Sequence, residues 1–103
     1  MTETPLQKTA VTLCGSLRAG SINEILRRHM SAKLRDAGVA VTDLSLADFP
    51  MPIFNEDIEE ADAAPEAAKR LADIFRSTDI VFLATPEYNG GLPPLVVNML
   101  AWI

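Results

Sequence analysis

Three short runs rich in apolar residues, at positions 9–14, 39–44 and 79–85, alternate along the chain with segments of helical periodicity. The first, Thr9-Ala-Val-Thr-Leu-Cys14, has a continuous apolar core, and in the third Ile80-Val-Phe-Leu-Ala84 is apolar throughout. The second is β-branched at Val39, Val41 and Thr42. The first reads as a strand covered on both faces, as in a parallel sheet, and β-branching marks the second as a strand. A β-α-β-α-β-α order supplies the crossovers that parallel strands need, right-handed and on both faces. The expected fold class is α/β, a doubly wound parallel sheet with strand order 2-1-3.

Between the strands the periodicity is specific enough to assign faces. Residues 21–36 predict a first helix, opened by Ser21 and Glu24 as a capping box. Ile22, Ile25, Leu26, Met30 and Leu34 recur at helical spacing and define its expected buried stripe. Gly38 is the expected C-cap. Arg27, Arg28, Lys33 and Arg35 read as a solvated face, and His29 as a surface or boundary residue. Residues 45–65 read as irregular, because Pro50 and Pro52 break a regular helix. Asp57, Glu59, Glu60 and Asp62 read there as solvated loop charges, with no histidine nearby and no calcium-loop pattern. Residues 65–77 predict a second helix with Ala68, Leu71, Ala72 and Phe75 inward, and a last helix starts near Pro94.

Composition narrows the class. A chain of 103 residues, 49% hydrophobic and 22% charged, fits one small globular domain over residues 1–103. A net charge of −5 argues against a broad nucleic-acid surface. The single cysteine, Cys14, excludes an internal disulfide and fits a reducing compartment. Residues 1–8 are polar, without the apolar core of a signal peptide, and no apolar run reaches the roughly 18 residues of a membrane span. A cytoplasmic protein with neither nucleic-acid nor membrane partners is expected. The final segment, Pro94-Leu-Val-Val-Asn-Met-Leu-Ala-Trp-Ile103, stops in apolar residues without a capping glycine or a basic last turn. Together with a third strand as apolar as a central one, this reads as the N-terminal part of a larger domain.

The chemistry gathers in the loop after the first strand, Gly15-Ser-Leu-Arg-Ala-Gly-Ser-Ile-Asn23. A strand, a small polar loop and a helix N-terminus place backbone N–H groups against a phosphate. Ser16, Ser21, Arg18 and Asn23 add hydroxyls, a guanidinium and an amide. Gly15 and Gly20 have the separation of a Walker A loop, but Ser21 stands where its lysine is required, which argues against NTP hydrolysis. Leu17 removes the G-x-G-x-x-G dinucleotide pattern. A phosphatase loop places more residues between its cysteine and arginine than the three that separate Cys14 from Arg18. A nest for a phosphate monoester remains. Taken singly, Ser21 also reads as a helix cap, Arg18 as a solvated loop residue and Cys14 as a buried strand-end thiol.

A second polar loop, Thr85-Pro-Glu-Tyr-Asn-Gly-Gly91, follows the third strand. In a 2-1-3 sheet the first and third strands are neighbours, and their carboxyl ends form the topological switch point where ligands bind. Gly90 and Gly91 allow backbone to approach a planar ligand. A phosphate on the first loop and a flat ring on the second is the pattern of a mononucleotide. As a plain turn, Asn89-Gly90-Gly91 is equally well explained, but Glu87 and Tyr88 are not.

The two loops, with Leu92-Pro93 closing the second, resemble the NADPH-dependent FMN reductase family, flavodoxin-like proteins that include quinone, chromate and azo-dye reductases. The similarity covers nearly the whole chain. It implies that Ser16, Arg18, Ser21 and Asn23 contact the FMN phosphate. It also implies that Pro86, Glu87, Tyr88, Asn89 and Gly90 border the isoalloxazine ring. Family chains are usually longer, with further strands and helices and a third loop near the cofactor. Their helix after the second loop commonly reads L-K-N-x-x-D-W. Asn98 and Trp102 match it, whereas Val97 and Ala101 occupy the lysine and aspartate positions.

The resemblance implies an FMN-dependent NAD(P)H oxidoreductase. Hydride passes from nicotinamide to FMN and on to a quinone, flavin, azo or metal-ion acceptor. FMN is the implied cofactor, NAD(P)H the co-substrate, and a homo-dimer or tetramer the implied assembly. The cofactor carries such chemistry, so no side chain is assigned as acid, base or nucleophile. Two alternatives stand beside this reading. One is a non-catalytic flavin-binding fragment that needs a partner to cover the edge of its third strand. The lesser one is a low-molecular-weight phosphatase-like enzyme using Cys14.

Overall fold

The computed structural model describes residues 6–61 and 63–103; Asp62 and the part of the leader reading that falls on residues 1–5 lie outside the described residues. Strand β1 spans Thr9–Cys14, helix α1 Ile22–Asp36, strand β2 Ala40–Asp43, α2 Glu56–Glu60, α3 Glu66–Arg76, β3 Ile80–Ala84 and α4 Pro94–Trp102. The three strands are parallel in the order β2-β1-β3, with Thr9 opposite Ala40 and Ala10 opposite Ile80. The expected flavodoxin-like α/β class and the 2-1-3 order both hold.

Strand β1 is the central strand, and its pleat sends alternate residues to unlike environments. Val11 and Leu13 enter a hydrophobic cluster with Leu46, Phe49, Ala67, Leu71, Val96 and Met99. That cluster fixes α3 and α4; burial of a side chain such as Leu71 contributes about 1.5–3 kcal/mol. On the other face, Thr12 Oγ1 lies 2.7 Å from Ser31 Oγ, and Cys14 Sγ lies 3.9 Å from Ser21 Oγ. Helix α1 therefore meets the sheet through polar groups.

This overturns the stripe expected for α1. Ile22, Ile25 and Leu26 are 79%, 62% and 46% exposed, while Arg27 and Ser31 are buried; Met30 and Leu34 are half-buried. The cause is the sheet residue opposite. An apolar ridge on α1 would leave the buried Thr12 hydroxyl with only a long, 3.4 Å bond to Asp43, at a cost in free energy. Arg27 and Ser31, one helical turn apart, satisfy it. Arg27 is thus not part of a solvated face. The expected capping box is also absent: Ser21 is the N-cap residue without a side-chain cap, and the Glu24 carboxylate is taken by Arg27. The C-terminal expectation holds. Gly38 sits at φ +86°, and Gly38 N and Val39 N donate to Arg35 O and Leu34 O in a Schellman arrangement.

The segment expected to be irregular carries a 3-10 turn at Leu46–Asp48 and the short helix α2. Asn55 caps α2, its Oδ1 accepting from Asp57 N at 2.9 Å. Between them, the chain is held to α4. Asn98 Nδ2 and Trp102 Nε1 both donate to Pro52 O at 2.8 Å, and Phe54 N donates to Asn98 Oδ1 at 2.7 Å. The Phe54 and Trp102 rings meet edge to face at 5.0 Å. This clasp gives Asn98 and Trp102 a structural task. Among the described residues, no helix is long and apolar enough to cross a membrane, and no group of three or more potential ligands could hold a metal ion.

Candidate functional site

Register brings the two polar loops together. Cys14 pairs with Ala84 at the carboxyl ends of β1 and β3, and Gly15 N donates to Ala84 O at 2.8 Å. The loops leave the sheet side by side. A Cβ on Gly15 would lie 2.6 Å from Thr85 Oγ1 and 2.7 Å from Val96 Cγ2, closer than real Cβ atoms come. Glycine at this position is what lets the first loop seat against the start of the second and against α4.

Beyond Gly15 the first loop turns on a local bond, Arg18 N donating to Ser16 Oγ at 3.2 Å. Arg18 is exposed, and its guanidinium has no ion-pair partner among the described residues. The second loop closes as a two-residue turn. Asn89 and Gly90 have φ +52° and +80°, and Tyr88 and Gly91 exchange both backbone hydrogen bonds at 2.9 and 3.0 Å. This is the geometry that the Asn-Gly pair favours. It presents Tyr88, half exposed, beside the first loop.

Between the loops lies a cavity of about 270 Å³, lined by Gly15, Ser16, Leu17, Arg18 and Tyr88 together with Pro93, Pro94 and Leu95 at the start of α4. Of the nine residues expected at the site, it gathers Ser16, Arg18 and Tyr88. Ser21 is buried against Cys14 and lines no part of it, and Asn23 is half-buried at the first turn of α1. Pro86, Glu87, Asn89 and Gly90 also lie outside its lining. Sequence reasoning missed Leu17 and Leu95, which form its apolar walls. Their signal is position alone, beside Ser16 and at the opening of α4.

A second cavity, of about 360 Å³, lies on the β2 side of the same loop and shares Ser16, Leu17 and Arg18 with the first. Its other lining residues include Glu24, Arg27 and Asp43, which form a connected network. Arg27 Nε and Nη2 donate to the two Glu24 oxygens at 2.8 and 2.6 Å. Arg27 Nη1 donates to Asp43 Oδ1 at 2.7 Å and to Thr12 Oγ1 at 2.9 Å. Ser31 Oγ donates to Asp43 Oδ1 and Arg35 Nη2 to Asp43 Oδ2. The hydrogen bonds from Arg35 and then Ser31 hold the Asp43 carboxyl well below the usual carboxylate range, against partial desolvation. The bond from Arg27 holds Glu24 below it as well. Charge-assisted pairs of this kind are the strong hydrogen bonds of a fold.

Cys14 ends β1 as a buried thiol in contact with Ser21. Its edge reaches the 360 Å³ cavity, but at 6% exposure it is a packed strand-end thiol.

Known proteins resemble this chain in sequence and in fold. The sequence profile of the NADPH-dependent FMN reductase family matches residues 9–103. A quinone reductase of Escherichia coli K12 is 36% identical over 94 residues, which cover 90% of this chain and 48% of the relative. An NAD(P)H-dependent FMN reductase of Pseudomonas aeruginosa is 36% identical, over 87% of this chain and 46% of its own length. Among solved structures, the flavoenzyme NAD(P)H:(acceptor) oxidoreductase FerB of Paracoccus denitrificans superposes with a TM-score of 0.70 at 35% identity, covering 92% of this chain and 50% of that one. An azoreductase of Bacillus anthracis, at 17% identity and a TM-score of 0.76, shares the fold. The chain spans about half the length of the curated relatives it matches. By the match of its sequence to that family's profile over residues 9–103, the chain belongs to the NADPH-dependent FMN reductase family.

Proposed function

We propose that this chain is the FMN-binding portion of an NAD(P)H-dependent oxidoreductase, with residues 1–103 acting as one flavin-binding unit. The observation that carries the reading is the convergence of Ser16 and Arg18 from one loop, and Tyr88 from the other, on a single cavity at the carboxyl ends of β1 and β3. The donor set fits the cofactor. Arg18 and the Ser16 hydroxyl suit a phosphate, with the N-terminus of α1 at the same end of the sheet. Tyr88, Leu17 and Leu95 offer flat and apolar surface for a ring system. Ser21 and Asn23 join the phosphate contacts, and Pro86, Glu87, Asn89 and Gly90 the ring contacts, through adjustment of the loops around the cofactor.

Bound FMN would supply hydride acceptance from NAD(P)H and electron delivery to a small-molecule acceptor. The protein's residues bind and orient it. A quinone acceptor is the reading favoured by the E. coli relative's name. The lone buried Cys14 suits a reducing, cytoplasmic setting. Assembly as a homo-dimer or tetramer belongs to the same reading, since Ile53, Val97 and Leu100 leave apolar surface around α4 exposed.

One observation favours a second reading, a flavin-binding fragment without activity of its own. Strand β3 is an edge strand, and Ile80 and Val81 on it are 38% and 43% exposed. Titration with FMN followed by flavin fluorescence, then NAD(P)H oxidation with a quinone, separates the two. Binding with FMN-dependent oxidation supports the oxidoreductase, and binding without it supports the fragment. No binding at high micromolar FMN contradicts both.

A further inference from the structure

Glu24 is misplaced for a phosphate site. It stands in the first turn of α1 and lines the cavity on the β2 side of the first loop, which shares Ser16 and Arg18, read above as phosphate contacts, with the cavity assigned to the cofactor. A free carboxylate there would oppose a phosphate dianion and offset the partial positive charge of the helix N-terminus. The structure deals with it through Arg27. The buried guanidinium grips both Glu24 oxygens, at 2.8 and 2.6 Å, and is itself fixed to β1 by Thr12 and to β2 by Asp43. Arg28 also approaches Glu24, at 3.4 Å, but is largely solvated.

We propose that Arg27 is a positioning residue for the phosphate loop: it neutralises Glu24, holds its carboxylate off the phosphate, and ties the first turn of α1 to the sheet. The proposal rests on the FMN-phosphate reading of the first loop. It gives a specificity role to a side chain whose Nε, Nη1 and Nη2 are all engaged by protein acceptors. The network makes the role separable from packing. Without Arg27, Asp43 keeps Ser31 and Arg35, and Thr12 keeps Ser31. Glu24 alone among these groups is left with only the exposed Arg28.

The test is titration of the whole chain with FMN and with riboflavin, which lacks the phosphate. Arg27→Met is expected to weaken FMN about tenfold or more, the scale of one charge-assisted contact, while changing riboflavin far less. Adding Glu24→Gln to Arg27→Met is expected to recover most of the lost FMN affinity. Glu24→Gln alone, which leaves Arg27 in place, is expected to tighten FMN and not riboflavin; it decides the matter if Arg27→Met does not fold. Equal losses for both flavins in Arg27→Met, no recovery in the double variant, or weaker FMN binding by Glu24→Gln would each overturn the proposal. A parent chain that binds FMN and riboflavin equally contradicts the phosphate reading itself, and the role of Arg27 falls with it.

Discussion

At the end of β2, Asp43 has both carboxylate oxygens engaged, Oδ1 by Arg27 and Ser31 and Oδ2 by Arg35. Its depressed pKa makes stability depend on pH in a definite direction. A carboxyl lowered in the folded state contributes fully above its unfolded pKa of about 3.9 and loses that contribution as pH falls through the lower folded value. Thermal melts of the parent and Asp43→Asn are therefore expected to differ most near neutral pH and to converge in strong acid. A gap that stays constant from neutral to acid pH would show that the carboxylate's charge is not what matters. This network was not legible in the sequence. Hydropathy spacing gives weight to Ile22, Ile25 and Leu26, and nothing local marks Arg27 as inward. The deciding partners, Thr12 and Asp43, lie on two strands, so only the tertiary pairing turns α1 by the fraction of a turn that buries Arg27 and Ser31.

The strand–loop–helix units show the opposite case. Their order, the parallel pairing and the meeting of both loops at one sheet end were legible, because continuous apolar runs and Gly-rich polar loops each have one economical arrangement in a doubly wound sheet. The start of the first loop depends on Gly15 having no side chain. Gly15→Ala is expected to cost about 1–3 kcal/mol as an overpacked site. It should lower the melting temperature by several degrees and weaken FMN, because Thr85 and Val96 would have to shift to admit a Cβ. An unchanged melting temperature together with unchanged FMN binding would contradict the close seating of the loops. What the sequence left hidden at this scale was the clasp of Asn98 and Trp102 on Pro52. Those residues were recognisable as matches to a family helix, but their partner carbonyl lies about 50 positions away in an irregular segment.

Across the whole molecule, apolar surface is unevenly distributed. One face of the sheet holds the core, whereas Ile22, Ile25 and Leu26 on α1 and Ile80 and Val81 on β3 remain accessible. Ile25→Lys is expected to change the stability of this chain by no more than about 0.5 kcal/mol, as for an ordinary surface site. A loss above about 2 kcal/mol in denaturant melts would mean that the residue is buried, as its periodicity alone predicts. The same scale frames the functional proposal, in which the two loops at one end of the sheet hold FMN. The most direct measurement is the affinity of the parent and of Arg18→Ala for FMN and for riboflavin. The parent is expected to prefer FMN, and Arg18→Ala to weaken FMN by about tenfold to a hundredfold, the equivalent of roughly 1.5–3 kcal/mol, with riboflavin barely changed. Equal losses for the two flavins, or a parent that does not distinguish them, would contradict the FMN-phosphate reading.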